Sequence, residues 1–231
     1  MIYYTIIKDW RKPVSMDEKY RKIDPGLPER LGGNLKTLEQ VYKSSFSELK
    51  EKDLSEVAVK CGARTDPDKT LVLDYFKKAI KIDLKNCKIA YADSGEKVDL
   101  FTATIVLHYI LTADGEPISG DWISYRELPD GMFYFRTIPG VLEPLRQKYD
   151  TSFKKLLEST SQYSGSKSRS FNNGAVIYPF PYFPVMLILE EKTEEFDSDL
   201  RVLFDSSAPH YMKTDIVKVL LVNIVKMLIS G

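Results

Sequence analysis

The chain is poor in the residues that most often build metal and redox sites: its 231 residues include two cysteines and two histidines. Cys61 and Cys87 stand far apart without a Cys-x-x-Cys pair. That excludes a zinc ribbon or a cysteine-held iron–sulfur cluster from a single chain, and free thiols, buried by default, are expected. A histidine-rich metal site is excluded as well. His108 falls in a very apolar stretch, where a satisfied core histidine is the expected role. His210, with Asp197, Asp199 and Asp205 upstream, could join carboxylates around a divalent ion. The spacing matches no metal motif, and Asp205 equally suits a turn or cap.

No sign of charge dominates. Lys+Arg 33 balance Asp+Glu 33, and the pI is about 6.8. There is no global field to draw the chain to nucleic acid or anionic lipid. Lys167 and Arg169 with Tyr163 and Phe171 make a basic–aromatic patch too small to replace one. The longest apolar run, Ile216–Ile229, is broken by Lys218, Asn223 and Lys226 and falls short of the roughly 20 residues a span needs. It predicts a buried core helix and no membrane contact. The start, Met1 to Trp10, lacks a basic segment followed by a long apolar run, so a cytoplasmic setting is expected. Phosphate loops and a nucleophile elbow are missing too: Gly32-Gly33-Asn34 carries no dinucleotide fingerprint, and Tyr163-Ser-Gly-Ser-Lys167 follows no strand. No cofactor is predicted.

What is present is core-forming: 43% of residues are hydrophobic and 12% aromatic. Residues 1–34, with Pro13, Pro25, Pro28 and Gly32-Gly33, read as an N-terminal arm. From residue 35 to 231 one α+β domain is expected, with a small antiparallel sheet packed by helices. Thr37 and Gln40 have the form of a capping box, before a helix that carries Leu38, Val41, Phe46 and Leu49. A short helix over 53–60 ends at Gly62. Alternation at Leu71, Leu73, Tyr75, then Ile80, Ile82, Leu84, then Ile89, Tyr91 predicts two or three antiparallel strands.

Asp99 caps an almost wholly apolar helix to Leu111, which must lie deep in the core. Helices follow at 141–149 and after the Asp150/Thr151 cap. Ser159–Asn173 reads as an exposed loop. Strands are predicted at 175–178 and 185–190, the prolines around the second arguing for an edge or for restricted pairing. Phe196–Asp205 looks short and mixed, and Thr214–Ile229 forms the last helix.

The best place for a site is Gly120–Gly131, where one of the two tryptophans sits among charges of both signs. Asp121, Trp122, Tyr125, Arg126 and Glu127 give it a guanidinium fork for a carboxylate or phosphate and two rings for stacking. Under the alternative, Trp122 and Leu128 plug the core while Arg126 pairs with a neighbouring carboxylate and pins the loop. The acids Glu190, Glu191, Glu194, Glu195, Asp197 and Asp199 read as a solvated face.

The same stretch, Gly120-Asp-Trp-Ile-Ser-Tyr-Arg-Glu-Leu-Pro-Asp-Gly131, resembles a signature of a bacterial and archaeal family, domain of unknown function 3786. So does a second block: Pro184-Val-Met-Leu-Ile-Leu189, then Glu194-Glu-Phe196, then Leu203-Phe-Asp-Ser-Ser-Ala208 with Tyr211. Phe180-Pro181-Tyr182-Phe183 is more aromatic than that pattern. The resemblance implies a setting near corrinoid-dependent methyl transfer or iron–sulfur proteins, with any cluster on another chain.

The combined expectation is a binding or accessory domain that contacts a protein partner or a planar or anionic ligand. The residues that would do so are Asp121, Trp122, Tyr125, Arg126, Glu127, Asp205 and His210. The rival is an enzyme with a carboxylate or divalent-metal site, which requires Glu127, Asp205 and His210 to converge.

Overall fold

The computed structural model describes residues 35–66, 68 and 70–230, with side chains from Glu39 onward. The arm expected over 1–34 lies outside the described residues. Helix α1 (Leu35–Lys50) begins two residues before Thr37, which therefore sits inside the helix and not at its cap. It buries Val41, Phe46 and Leu49. Helix α2 (Leu54–Cys61) is capped by Asp53, whose carboxylate accepts from the amides of Ser55 and Glu56, and it ends at Gly62.

A four-stranded antiparallel meander follows: β1 (Arg64–Asp66), β2 (Thr70–Tyr75), β3 (Lys78–Asp83) and β4 (Lys88–Tyr91). The predicted alternation sets the register, with Leu71 opposite Ile82 and Leu73 opposite Ile80, all fully buried. Helix α3 (Leu100–Thr112), capped by Asp99, is buried from Thr102 to Ile110. His108 lies in that stretch, and burial, helped by Lys213, pushes its imidazole down to about 4, so it is neutral.

The second sheet has the order β5-β9-β8-β7-β6, built from β5 (Trp122–Ser124), β6 (Ser166–Lys167), β7 (Gly174–Phe180), β8 (Phe183–Glu190) and β9 (Asp199–Asp205). Three sequence readings change or narrow here. The mixed segment before Asp205 is a full strand, with Leu200, Val202 and Phe204 turned inward and Asp199 and Arg201 outward. The serine-rich run is only partly a loop, because Ser159 and Thr160 are buried and Ser166–Lys167 pairs with β7. And β8, expected either at an edge or with restricted pairing, is central, with its pairing restricted around Pro184. Its pairing with β9 starts at Val185, and the β7 register shifts between Ile177 and Phe180, so Pro184 falls where no ladder bond is required.

Helices α4 (Ile138–Tyr149), α5 (Phe153–Ser161) and α6 (Thr214–Ser230) complete the domain. Ser152, not Asp150 or Thr151, caps α5. Among the described residues one hydrophobic core joins all six helices and both sheets; the Phe76 amide donates to the Pro179 carbonyl at 2.8 Å, and the Tyr75 and Phe180 rings meet 5.0 Å apart. The fold is α+β, as expected, though with two antiparallel sheets instead of one small one. Among the described residues no helix is long and apolar enough to cross a membrane.

Candidate functional site

The connection from α3 to α4 holds most of the candidate residues, and its two halves are built differently. The first half, Asp114–Asp121, is exposed throughout yet tied down along its length. Asp114 meets His210 Nδ1 at 2.7 Å, and the Tyr211 hydroxyl donates to the Glu116 carbonyl. The Ser206 amide donates to the Asp121 carbonyl at 2.8 Å.

Asp205 is the strongest tie. Fully buried at the end of β9, it accepts from the amide and hydroxyl of Ser119, the amide of Gly120 and the amide and hydroxyl of Ser207, at 2.6–3.0 Å. Burial alone would raise the carboxyl, but these donors, Ser207 foremost, outweigh it and hold Asp205 below the ordinary carboxylate range. Gly120 reaches Oδ2 from a backbone at φ 81, the left-handed region that favours glycine.

Trp122 pairs with Asp205 across β5 and β9. Its ring is half-buried against Val176, Met186, Ile188 and Leu203, a small cluster separate from the main core. Those residues alternate with Ile177, Val185 and Leu187, which face the helices, so Trp122 covers the opposite side of the sheet. The plug of the main core is instead Tyr125 with Leu128, each 3% exposed.

The second half of the connection is a run of tight helical turns, Tyr125–Glu127, Gly131–Phe133 and Phe135–Thr137, leading into α4. Ser124 and Glu127 form a capping box: the amide and hydroxyl of Ser124 both donate to Oε2 of Glu127 at 2.7 Å and keep that carboxyl below its usual range. The Tyr125 hydroxyl donates to the Thr214 carbonyl at 2.7 Å, and the Thr214 hydroxyl to the Pro129 carbonyl at 2.5 Å. Gly131 packs on the first turn so closely that a Cβ there would lie 2.1 Å from the Tyr125 carbonyl oxygen.

On this fixed stem stands an open tip. Met132 is 53% and Phe133 79% exposed. The Arg126 guanidinium lies 5.3 Å from the Phe135 ring centre with Nε 2.9 Å from Met132 Sδ, and the Arg136 guanidinium lies 5.9 Å from the same ring. Neither arginine has a carboxylate partner among the described residues. The expected pairing of Arg126 with a neighbouring acid is therefore not made.

The predicted residues thus fall into separate groups. Asp121 and Trp122 adjoin Asp205; Tyr125 is in the core; Arg126 belongs to the tip; Glu127 binds Ser124; His210 binds Asp114. Glu127, Asp205 and His210 share no partner, and among the described residues no three His, Cys, Asp or Glu side chains gather where a metal ion could be held. A cavity of about 990 Å³ lies elsewhere, between the start of α2 and the β1–β2 hairpin; its charged lining mixes Lys50, Lys52 and Lys85 with Asp53, Asp66 and Asp68. The thiols differ: Cys61 is buried and raised to about 11 by that burial, while half-buried Cys87 has Lys50 Nζ at 3.1 Å.

Sequence reasoning passed over Met132, Phe133, Phe135 and Arg136. Their signal was a Met-Phe-Tyr-Phe-Arg run with no helical or strand period, immediately after a glycine.

The family model described as Domain of unknown function (DUF3786) matches residues 53–227. The chain belongs to that family. The match takes in every strand among the described residues, α2 to α5 and most of α6, but not α1, although Phe46 and Leu49 of α1 belong to the same core. No curated protein and no solved structure matches the chain.

Proposed function

We propose that this DUF3786 chain is a non-catalytic binding or accessory domain that docks a protein partner through the Arg126–Arg136 tip. The observation that carries the reading is the exposure of Met132 and Phe133, beside two arginines without carboxylate partners among the described residues, on a stem fixed by Tyr125, Thr214 and Gly131. Aromatic residues, methionine and arginine are enriched at protein interfaces relative to the rest of the surface, and a rigid presentation lowers the ordering cost of binding. The Asp205–Tyr211 turn supports the same connection from behind. A cytoplasmic setting, and one near corrinoid or iron–sulfur proteins, are parts of the proposal that rest on the sequence and on the earlier resemblance.

The test compares the parent chain with Phe133→Ser and Arg126→Ala in pull-downs, alongside spectral titrations with cobalamins, haems and simple anions. Loss of a partner with either variant, and no spectral change, supports the reading. Full retention of every partner by both variants, or tight binding of a planar ligand unaffected by them, overturns it.

A further inference from the structure

The tip has a counterpart at the far end of α4. The turn between β8 and β9 exposes Phe196 at 72%, a large apolar side chain at a level matched among the described residues only by Phe133 and Val59. Around it the acids divide in two. Glu190 and Asp199 pair with Arg201, Asp197 pairs with Lys192, and Glu191 accepts from the Phe153 amide. Glu194 and Glu195, the two residues just before Phe196, have no cationic partner among the described residues.

One surface therefore offers an exposed phenylalanine beside two guanidiniums, and another an exposed phenylalanine beside two carboxylates. They cannot meet within one chain. The tip runs directly into the first turn of α4 through Phe135–Thr137, whereas the acidic turn is tied to its far end, where the Lys192 amide donates to the Asp150 carbonyl at 2.7 Å. The 12 residues of α4 hold the two apart by about 18 Å at 1.5 Å per residue.

Resting on the reading of the tip as a docking element, we infer that its partner includes a second copy of this chain, whose Glu194-Glu195-Phe196 turn receives Arg126, Arg136 and Phe133. The contact is heterologous: each copy uses its tip on one neighbour and its turn on the next, so assemblies grow head to tail instead of stopping at a symmetric pair. Opposite charge fixes the orientation, since tip against tip or turn against turn brings like charges together. The patches are small and exposed, so the association is weak and screened by salt.

Sedimentation velocity of the full chain over a range of concentrations is the test. The parent is expected to show a sedimentation coefficient that rises with concentration in low salt, with the apparent Kd at least about tenfold weaker near 1 M salt, where screening reaches a few ångströms. R126E/R136E and E194K/E195K are each expected to stay monomeric, because each makes its own two surfaces alike in charge. Mixing them restores association, since every tip then finds an oppositely charged turn; this also shows that both variants are folded. A parent that is monomeric at every concentration and salt, or a mixture that remains monomeric, overturns the inference. If the parent is monomeric while the tip still captures a different protein, the proposed function stands without the second copy. If the chain self-associates but captures nothing else, the second copy stands and the accessory role fails.

Discussion

Asp205, which ties the α3–α4 connection to the end of β9, and Arg126, which belongs to that connection, carry opposite charges, but their surroundings differ in kind. Asp205 is fully buried and accepts five hydrogen bonds from Ser119, Gly120 and Ser207, so its bonding is complete within the chain. Arg126 is exposed, and its contacts are the sulfur of Met132 and the face of Phe135. A charged residue whose bonds are all made inside the fold holds the fold; one whose charge is left open next to exposed apolar side chains is available to a partner. Residue type alone does not separate the two cases. The inventory of bonds does.

The contrast is sharpest where the carboxylate is removed. Asp205→Ala removes the acceptor of the buried Ser207 amide and of the Ser119 and Gly120 amides in the exposed connection, and should lower stability by about 3 kcal/mol, read as a fall in the urea midpoint. Asp205→Asn, which retains one acceptor, should lose less and also show weaker acid sensitivity. The Asp205 carboxyl lies below its unfolded value, so its contribution is complete above about pH 3.9 and lost as pH falls through the folded pKa.

Trp122→Ala comes next, at about 2 kcal/mol, because the ring is half-buried on the outer side of the sheet and not sealed in the main core. A loss near that expected for emptying a core aromatic site would contradict this placement.

The His210–Asp114 pair gives a smaller effect, since both side chains are about half exposed; an exposed pair contributes roughly 0.2–1 kcal/mol. Asp114 raises the His210 pKa, so on that side the contribution is complete below about pH 6.5 and fades as pH rises through the folded value. His210 in turn lowers Asp114, whose side of the contribution is complete above about pH 3.9 and fades as pH falls through its folded value. The difference in Tm between the parent and His210→Gln should thus be largest around pH 4–6 and shrink by pH 9. An unchanged difference across that range would show that the pair does not hold the connection.

Much of the fold was legible because its signals are local. Gly62 at the end of one helix, Asp99 at the cap of the next, and the alternation of Leu71, Leu73, Ile80 and Ile82 each act over a few residues and were read correctly. The strands that escaped were those whose identity depends on distant partners. β5 has three residues and exists because Leu203, Phe204 and Asp205 lie beside it; β9 carries charges at alternate positions because one of its sides is open to solvent.

The candidate connection was legible in the sequence as a charged, turn-rich segment, but the bonds within it were not. Gly120–Gly131 does contain the two glycines the connection requires, yet what Asp205 or Arg126 does depends on bonds to residues as far away as Ser119 or as near as Met132. The tip itself, Met132 and Phe133, lay just past the boundary drawn from turn residues, and only exposure distinguishes it from a core segment of the same composition.

The most direct test of the account is a paired measurement on Phe133→Ser: thermal stability and partner capture on the same preparation. Because Phe133 is 79% exposed, the account predicts a Tm essentially unchanged, within the ±0.5 kcal/mol usual for surface substitutions, together with loss of the captured partner. A marked fall in Tm with every partner retained would contradict it and make the tip a structural element of the fold.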